Sequence, residues 1–349
     1  MQLTTKKSLA LLLLAATLVS VFSCSKSSNS SSSDLVGNWA VSSEFSGVGR
    51  TDAVSFTIGD KVYIGLGNDG TNMLNDFWVF DEKSNKYTQI ANFPGEARSK
   101  AVAFSVNGKG YVGTGSNGRN KLDDFWEYDP ATDTWVSIAP FPGGVRHDAV
   151  AFTIGSTGYV ATGYDGVGIN SGNYRNDLWA YTPASGWQQK ADLPNKKSEA
   201  VAFVYDNKAY VVTGQNNGSL SVDLAVYDPS TNAWTKKRNI NSSNSEETYD
   251  DDYGSNITRK NAVAFVLGNK AFISTGNNGS VLKTTWVYDI ASDLWSQKTA
   301  FEASSGREGA VAFVVNNKAF VGLGNNSSAR FDDVWRFDPD AAQSNDDNY

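Results

Sequence analysis

The sequence predicts an all-β chain folded as a six-bladed β-propeller, and three observations support this. First, the tetrapeptide Ala-Val-(Ala/Ser)-Phe occurs six times, with starts 48, 48, 51, 62 and 48 residues apart. A period near 50 is typical of repeat architectures in which each unit is one small sheet. Second, every repeat contains short runs rich in Val, Phe, Tyr, Trp and Thr between turn residues. Third, no run outside the N-terminal leader has helical periodicity. The six copies are residues 53–56, 101–104, 149–152, 200–203, 262–265 and 310–313.

The second repeat illustrates the unit. Arg98 opens it, and an apolar run at 101–106 ends in the turn Asn107-Gly108. Three further runs of strand length follow, at 109–115, 125–130 and 134–136. Four short strands joined by tight turns predict a four-stranded antiparallel meander, and six such sheets arranged radially form a propeller.

The repeat resembles the kelch motif. The residues that carry the resemblance are the opening Arg, the strand that ends in Gly, and the pattern Trp126-x-Tyr128-Asp129-Pro130 followed by Trp135. The resemblance covers nearly all of residues 35–339 and implies kelch-like four-stranded blades. Kelch repeats usually end the second strand with Gly-Gly, whereas this chain has Leu-Gly or Thr-Gly. This departure indicates a divergent, bacterial branch of the family.

The sequence also predicts how the ring closes. The sixth repeat ends at Pro339 without a fourth strand, whereas Trp39 precedes the first Arg as Trp135 precedes the third. We therefore expect the N-terminal segment to supply the outer strand of the last blade, which removes an exposed sheet edge. The propeller then spans residues 35–339, and 340–349 form a polar C-terminal tail that we expect to fray.

The N-terminal residues predict an address outside the cytoplasm. Residues 1–23 have two lysines and then an apolar stretch, which is typical of a signal peptide. Val21-Phe22-Ser23-Cys24 resembles a bacterial lipobox, which implies lipidation of Cys24. Residues 24–34 form a Ser-rich linker. We therefore predict a lipoprotein of the cell envelope, anchored to the outer membrane on its periplasmic side or at the cell surface. The alternative is a plain secretion leader with an incidental Cys.

Composition excludes several classes of function. The net charge of −7 and the absence of a basic stripe argue against nucleic acid and against anionic membrane surfaces. Copper oxidase chemistry and an ordinary zinc site need more than the single His147 and the single Cys. We predict no metal and no cofactor, although oxygen ligands for calcium are plentiful. We expect a monomer that contacts the membrane through its lipid alone.

One face of the predicted propeller carries a ring of cations. In an up-and-down meander, the loop before the first strand and the loop between the second and third strands share a face. A cation stands three residues before the Ala of every repeat, and such a ring is a candidate site for a carboxylate, a phosphate or an acidic peptide. The structural alternative is that these cations bridge the blades, paired with the neighbouring Asp52, Asp148, Glu199 and Glu308. The cations are Arg50, Arg98, Arg146, Lys197, Arg259 and Arg307.

Departures from the repeat favour blades three to five as the site. Blade three has an extended loop that contains Tyr174 and Arg175, and blade four is followed by an acidic insertion at 239–258. Both extensions fall next to His147 and Asp148. If the protein is an enzyme, His147, Asp148 and Glu199 are the candidate acid–base residues.

Two functions from different classes remain open at this point. The first is a lipid-anchored binding or scaffold propeller that recognises a glycan or a protein partner in the cell envelope, with no catalytic residue. The second is a carbohydrate mutarotase or epimerase, because the blade pattern is similar to that of sialic acid mutarotases, which are bacterial kelch-like propellers. Lyase activity on polysaccharides is a weaker third reading. Fold alone does not choose among them.

Overall fold

The computed structural model describes residues 35–166, 173–241, 257–344 and 346. Every regular element in these ranges is a β-strand, and six four-stranded sheets form the blades. The predicted fold class is therefore confirmed. The leader, the linker with Cys24, and residues 242–256 of the acidic insertion lie outside the described residues.

The two inner strands of each blade carry the repeated tetrapeptide and the strand that ends in Gly. The first strands surround the axis; they are β2 (Val54–Ile58), β6 (Val102–Val106), β10 (Val150–Ile154), β14 (Val201–Tyr205), β20 (Val263–Leu267) and β24 (Val311–Val315). The second strands are β3 (Lys61–Gly65), β7 (Lys109–Gly113), β11 (Thr157–Ala161), β15 (Lys208–Val212), β21 (Lys270–Ser274) and β25 (Lys318–Gly322).

The two outer strands complete each blade. The third strands are β4 (Phe77–Asp81), β8 (Phe125–Asp129), β12 (Leu178–Thr182), β18 (Leu224–Asp228), β22 (Thr285–Asp289) and β26 (Asp333–Asp338). The fourth strands are β5 (Lys86–Ile90), β9 (Thr134–Ile138), β13 (Gly186–Lys190), β19 (Ala233–Lys236), β23 (Leu294–Lys298) and β1 (Asn38–Glu44). A two-residue hairpin, β16 (Gln215–Asn216) with β17 (Ser219–Leu220), lies between the second and third strands of blade four.

The ring closes as the sequence predicts. Strand β1 pairs antiparallel with β26, with Trp39 opposite Phe337. The described part of the C-terminal tail, residues 340–344, differs from the expectation of fraying, because it binds back onto the segment that begins the propeller. The Gly37 amide donates to the Ala341 carbonyl at 3.0 Å, and the Ser344 amide donates to Asn38 Oδ1 at 2.7 Å. The start and the end of the propeller therefore lie side by side.

The core lies between the blades. Six buried clusters occupy the six blade-to-blade interfaces of the described residues. At the interface of blades one and two, Trp135 of β9 packs against Phe77 of β4 with ring centroids 5.0 Å apart. The recurring aromatic residues therefore serve blade packing. In the tetrapeptide, Val and Phe are buried in these interfaces, whereas Ala and Ser line the narrow channel along the axis.

Two rings of backbone hydrogen bonds join the blades at one end of the channel. We call this end the upper face; it carries the loops before the first strands and those between the second and third strands. The first ring has six bonds of 2.8–3.2 Å, and each donor has a φ of 50–62°. Each residue of this ring donates its amide to the carbonyl of its counterpart in the preceding blade. The members are Asp52, Lys100, Asp148, Glu199, Asn261 and Gly309.

The second ring depends on glycine. The Gly that lies two residues after the end of each second strand donates its amide to the carbonyl of the cation that opens the next blade, at 2.7–2.9 Å. Gly67 has a φ of 98°, and a Cβ there would lie 2.7 Å from the Thr51 carbonyl oxygen. Only glycine fits this geometry. The residue before this Gly is also Gly in most kelch repeats. In this chain it is Thr or Leu and still adopts a left-handed backbone conformation, as Thr114 does with a φ of 57°.

Candidate functional site

The predicted ring of cations is buried. Arg98 is 0% exposed; its Nη1 and Nη2 donate to the Asp124 carboxylate at 2.6 and 2.8 Å, and Nη1 also donates to the Thr114 carbonyl at 3.0 Å. The guanidinium lies over the ring of Phe93, 4.9 Å from its centroid. Trp126 Nε1 holds the same carboxylate at 2.8 Å. Each such cation ties the loop between two blades to the top of its own blade.

The same arrangement recurs around the propeller. Arg50, Arg146 and Arg307 bind an Asp in the same bidentate way, and Lys197 binds Asp223 at 3.0 Å. In blade five a Thr stands in place of the Asp, and Arg259 donates to Thr284 Oγ1 at 2.8 Å. All six cations are at most 1% exposed, which favours the structural alternative over direct contact with a ligand. The carboxylates that hold the four bidentate arginines and Lys197 are Asp76, Asp124, Asp177, Asp223 and Asp333.

These partners differ from those that the sequence suggested. The acids next to the cations do not pair with them, because the chain reverses direction after each cation and turns its neighbours toward the axis. A repeated Asp-x-Trp motif, as in Asp124-x-Trp126, was the signal that could have identified the partner. It occurs in blades one, two, three and six, at the start of the third strand.

The acids beside the cations lie instead at the channel mouth. Asp52, Lys100, Asp148, Glu199 and Asn261 belong to the first hydrogen-bond ring, and together with the Ala residues that follow them they line a depression of about 150 Å³. Left-handed backbone at each position turns the side chain toward the axis. Side chains that are 48 or more residues apart in the chain are thereby brought together.

Charges at the mouth are closely coupled. Lys100 Nζ lies 3.2 Å from Asp148 Oδ2 and 4.0 Å from Glu199 Oε1, and Lys260 Nζ lies 3.2 Å from Glu199 Oε2. The side chains of Asp148 and Glu199 are only 7% and 9% exposed. Burial alone would lower the pKa of Lys100, but the surrounding carboxylates outweigh it and raise that pKa. Lys100 is therefore a fixed cation between acids.

Two carboxyl groups of the mouth have pKa values that move in opposite directions. Burial raises the pKa of Asp52 to about 6, although the charge of Lys100 opposes it. Burial also favours a higher pKa for Asp148, but the hydrogen bond from His147 and the charge of Lys100 hold it below its usual range. A protonated Asp52 and an ionised Asp148 therefore coexist at pH values between the lowered pKa of Asp148 and about 6.

Aromatic side chains border the mouth at blade three. His147 Nδ1 lies 2.6 Å from Asp148 Oδ2, and its ring meets Tyr164 edge to face with centroids 5.6 Å apart. Tyr164 in turn packs against Tyr174 at 4.9 Å. The structure thus brings Tyr174 together with the three candidate acid–base residues. Arg175 is half exposed beside them and forms an ion pair with Asp165.

Metal and membrane features were also sought. Over the described ranges, no group of three or more His, Cys, Asp or Glu residues is arranged to hold a metal ion. In the same part of the chain, no helix is long and apolar enough to span a bilayer.

Comparisons with known proteins agree with the architecture. The family model described as N-acetylneuraminate epimerase matches residues 47–139. Kelch repeat and BTB domain-containing protein 1 of cowpox virus (strain GRI-90 / Grishak) is 28% identical over 134 residues, which is 37% of this chain and 21% of the relative. The vaccinia virus (strain Copenhagen) protein of the same name gives the same values. The chain thus spans about a fifth of the length of these viral relatives.

A solved structure shares the fold. The one described as "Structure of YjhT" superposes with a TM-score of 0.67 at 19% identity and covers 83% of this chain and 95% of that chain. The fold and its repeated Arg motif define a β-propeller scaffold of the kind that supports binding. The chain is a β-propeller whose blades are similar to kelch repeats.

Proposed function

We propose that this protein is a binding propeller that recognises a glycan at the channel mouth on its upper face. One observation carries the proposal: the buried carboxylates Asp148 and Glu199 lie beside the paired rings of Tyr164 and Tyr174. Sugar hydroxyls donate hydrogen bonds to carboxylates, and the apolar face of a sugar ring packs on aromatic side chains. The amides of Gln215 and Asn261, which already contact Glu199, supply further donors and acceptors.

Charge at the mouth favours a neutral sugar. The acids Asp52, Asp148, Glu199 and Glu308 outnumber the cations Lys100 and Lys260, and both lysines already have carboxylate partners. The ring arginines that would hold a sugar carboxylate are buried against their own Asp partners or, for Arg259, against Thr284. Like charge at close range opposes an anionic ligand.

A binding screen tests this function. We expect neutral mono- and oligosaccharides to raise the melting temperature of the full chain, because a ligand that binds only the folded state stabilises it by mass action. Asp148→Asn should lower the affinity by about tenfold or more, since a charge-assisted hydrogen bond is lost.

The matched control is Asp129→Asn, an acid on the opposite face of the propeller whose side chain is 32% exposed. It should leave sugar affinity unchanged. A ligand whose affinity falls equally in both variants would place the site elsewhere. No response to any sugar, together with a protein partner whose binding requires Asp148, would favour the protein-binding alternative.

Sugar isomerisation is the second candidate, supported by the opposed pKa values of Asp52 and Asp148 and by the family match over residues 47–139. In mutarotation, a carboxylate removes the proton of the anomeric hydroxyl while an acid protonates the ring oxygen, and the ring C–O bond breaks. Reversal of both transfers closes the ring on the other face of the carbonyl. Asp148 would be the base and Asp52 the acid. N-acetylneuraminate is itself an anion, and Lys100 or Lys260 would have to meet its carboxylate.

The pH dependence of anomer exchange tests this candidate. If Asp52 is the acid, the rate measured by NMR should fall as the pH rises through about 6, because its proton is then lost. Asp52→Asn should remove that dependence along with most of the rate. A rate that is indifferent to this substitution would contradict the role of Asp52.

We also propose that the propeller is attached to the bacterial envelope through a lipid on Cys24, as the lipobox-like sequence supports. Cys24→Ser is expected to abolish incorporation of a labelled fatty acid and to shift the protein from the membrane fraction. Ser23→Ala keeps the cysteine and should remain membrane-bound. Equal labelling of both variants would refute lipidation at Cys24.

A further inference from the structure

The channel mouth has two sides with different hydrogen-bonding chemistry. On the side of blades two to five, the carboxylates meet cations, since Lys100 lies beside Asp148 and Lys260 lies beside Glu199. On the side of blades six and one, Asp52 lines the depression, and within the described ranges no hydrogen bond reaches its carboxylate oxygens. The two sides therefore differ in what they can still accept from a ligand.

A glycine explains where the Asp52 carboxylate lies. The member of the first hydrogen-bond ring in blade six is Gly309, which has no side chain to place at the mouth. A Cβ at Gly309 would lie only 2.6 Å from Asp52 Oδ1, so the carboxylate occupies the space that a side chain would take there. Lys100 Nζ, which reaches Asp148 and Glu199, forms no ion pair with Asp52.

The polar neighbours on this side have already used their donors. Thr51 Oγ1, which also borders the space above Gly309, donates to Asn325 Oδ1 at 2.6 Å. The Asn325 amide nitrogen donates to a backbone carbonyl of its own loop at 3.0 Å. Glu308 is a second acceptor, and its charge acts on Asp52. The side of blades six and one therefore presents acceptor oxygens to a ligand.

The charge around Asp52 is negative on balance. Burial raises the pKa of Asp52 to about 6, the charge of Lys100 opposes this, and the charges of Asp148, Glu308 and Glu199 raise the pKa further. A cation placed beside Asp52 would be attracted by all of these carboxylates at close range. The charge that disfavours an acidic sugar at the mouth therefore favours a positive one.

The chemistry of the site selects the kind of cation. In the described ranges, no three acids are arranged to hold a metal ion, so the negative charge is too widely spread for a single metal centre. A primary ammonium group is compact, carries three N–H donors and has no acceptor. It matches a surface of acceptor oxygens, whereas a hydroxyl group would bring further lone pairs to it.

We propose that the channel mouth prefers an amino sugar, with the protonated amine of the sugar bound by Asp52. This inference rests on the proposed glycan function and names its substrate class. The sugar hydroxyls then meet Asp148 and Glu199, and the ring packs on the tyrosine pair of blade three, as for a neutral sugar. The ammonium group adds one charge-assisted contact that a neutral sugar lacks.

Calorimetry with matched sugars tests the preference. Glucosamine, galactosamine and mannosamine are compared with glucose, galactose and mannose on the full chain, just above pH 6, where Asp52 is ionised and the amine is protonated. At least one amino sugar should bind about tenfold or more tightly than its parent hexose. N-acetylation of the same sugar should remove the gain, because the amide nitrogen carries no charge.

Asp52→Asn should bring the ratio of the two affinities close to one. Asp52 has a φ of 54°, and Asn is among the residues that accept left-handed backbone, so the first hydrogen-bond ring should stay intact. The matched control is Asp69→Asn, on the same face of the same blade. The Asp69 carboxylate is held by the amides of Thr71 and Asn72 at 2.7 and 2.6 Å, and its loss should leave the ratio unchanged.

The pH dependence adds a second readout. In the parent chain the ratio should fall as the pH drops through about 6, because Asp52 takes up a proton while the amine stays charged. Asp52→Asn should lack this change. Cooperative melting of both variants excludes misfolding as the cause of a lost preference.

The outcomes distinguish this inference from the function on which it rests. Neutral sugars that bind as tightly as their amino counterparts overturn the inference and leave the glycan function in place. A preference for the amine that persists in Asp52→Asn also overturns it. Ethanolamine, which carries an ammonium group without a ring, must bind more weakly than the amino sugar, and equal affinity would contradict sugar recognition. Absence of binding by every sugar removes both proposals.

Discussion

Trp39→Ala is expected to lower the free energy of unfolding by about 3–5 kcal/mol, as large-to-small changes of buried aromatics do. Trp39 is fully buried, although it lies near the start of the propeller. Its ring packs on Phe337 at 4.5 Å and on Phe301 at 4.9 Å, and its Nε1 donates to the Thr299 carbonyl at 3.3 Å. Because β1 is held to β26 by this side chain, blade six should separate first. Urea unfolding followed by tryptophan fluorescence measures the loss.

Trp135→Ala is the control for this prediction. It removes the equivalent outer-strand tryptophan from blade two, which is only half buried and sits on a strand that a turn already holds in place. Trp135→Ala should therefore lower the free energy of unfolding clearly less than Trp39→Ala does. An equal loss from both variants would mean that closure adds nothing to the role of Trp39.

A circular permutant examines the closure itself. The Gly37 amide and the Ala341 carbonyl are hydrogen-bonded at 3.0 Å, so a short linker can join these segments if new termini are opened near Ser46. Blade six then becomes one continuous meander. We expect such a permutant to fold and to keep most of the stability of the parent chain.

Asp333→Ala is expected to have a similarly large effect, about 3–5 kcal/mol, because it leaves the buried guanidinium of Arg307 without its carboxylate. Arg307 is 1% exposed and donates to both oxygens of Asp333 at 2.6 and 2.8 Å. The double change Arg307→Met/Asp333→Leu should recover much of the loss, since no charge then remains buried.

The exposed ion pair of Lys83 with Asp60 is the matched control. Its side chains are 71% and 43% exposed, so Asp60→Ala should lower the free energy of unfolding far less than Asp333→Ala does. Chemical unfolding of the parent chain and the three variants distinguishes the buried pair from the exposed one. If Asp333→Ala were as mild as Asp60→Ala, the buried cations would be available for another role, such as the ligand contact that the sequence suggested.

Acid should remove the same stabilisation. Burial favours a higher pKa for Asp333, but the hydrogen bond and the charge of Arg307 outweigh it and hold the pKa below the usual 3.8. A carboxyl whose pKa is lowered by folding stabilises the protein above its unfolded pKa and loses that effect as the pH falls. The difference in the free energy of unfolding between the parent chain and Asp333→Ala should therefore be constant near neutral pH and should become smaller below about pH 4.

Much of the fold could be predicted because it repeats. The tetrapeptide and the turn residues recur at matching positions in each repeat, and Trp39 matches the outer-strand position of the other blades. Because the same pattern occurs six times, it predicts the fold reliably. The same repetition drew attention to the arginines, which are repeated because every blade needs them for its own architecture.

The channel mouth was harder to predict. Its members follow the cations by two residues and have different side chains, so they form no motif. Lys100 and Glu199 adopt left-handed backbone conformations. Lys and Glu normally avoid this region, so the sequence gives no sign that these two residues adopt it. The departures from the repeat nearby nevertheless point to Asp148 and Glu199.

The first hydrogen-bond ring has a consequence for how this protein can change. Its bonds use amides and carbonyls alone, so the circle forms whether the residue is Asp, Lys, Glu, Asn or Gly, as five different residue types already demonstrate. Folding therefore places few demands on the side chains that face the axis. The propeller can exchange them, singly or together, and so acquire a new chemical preference while its architecture stays intact.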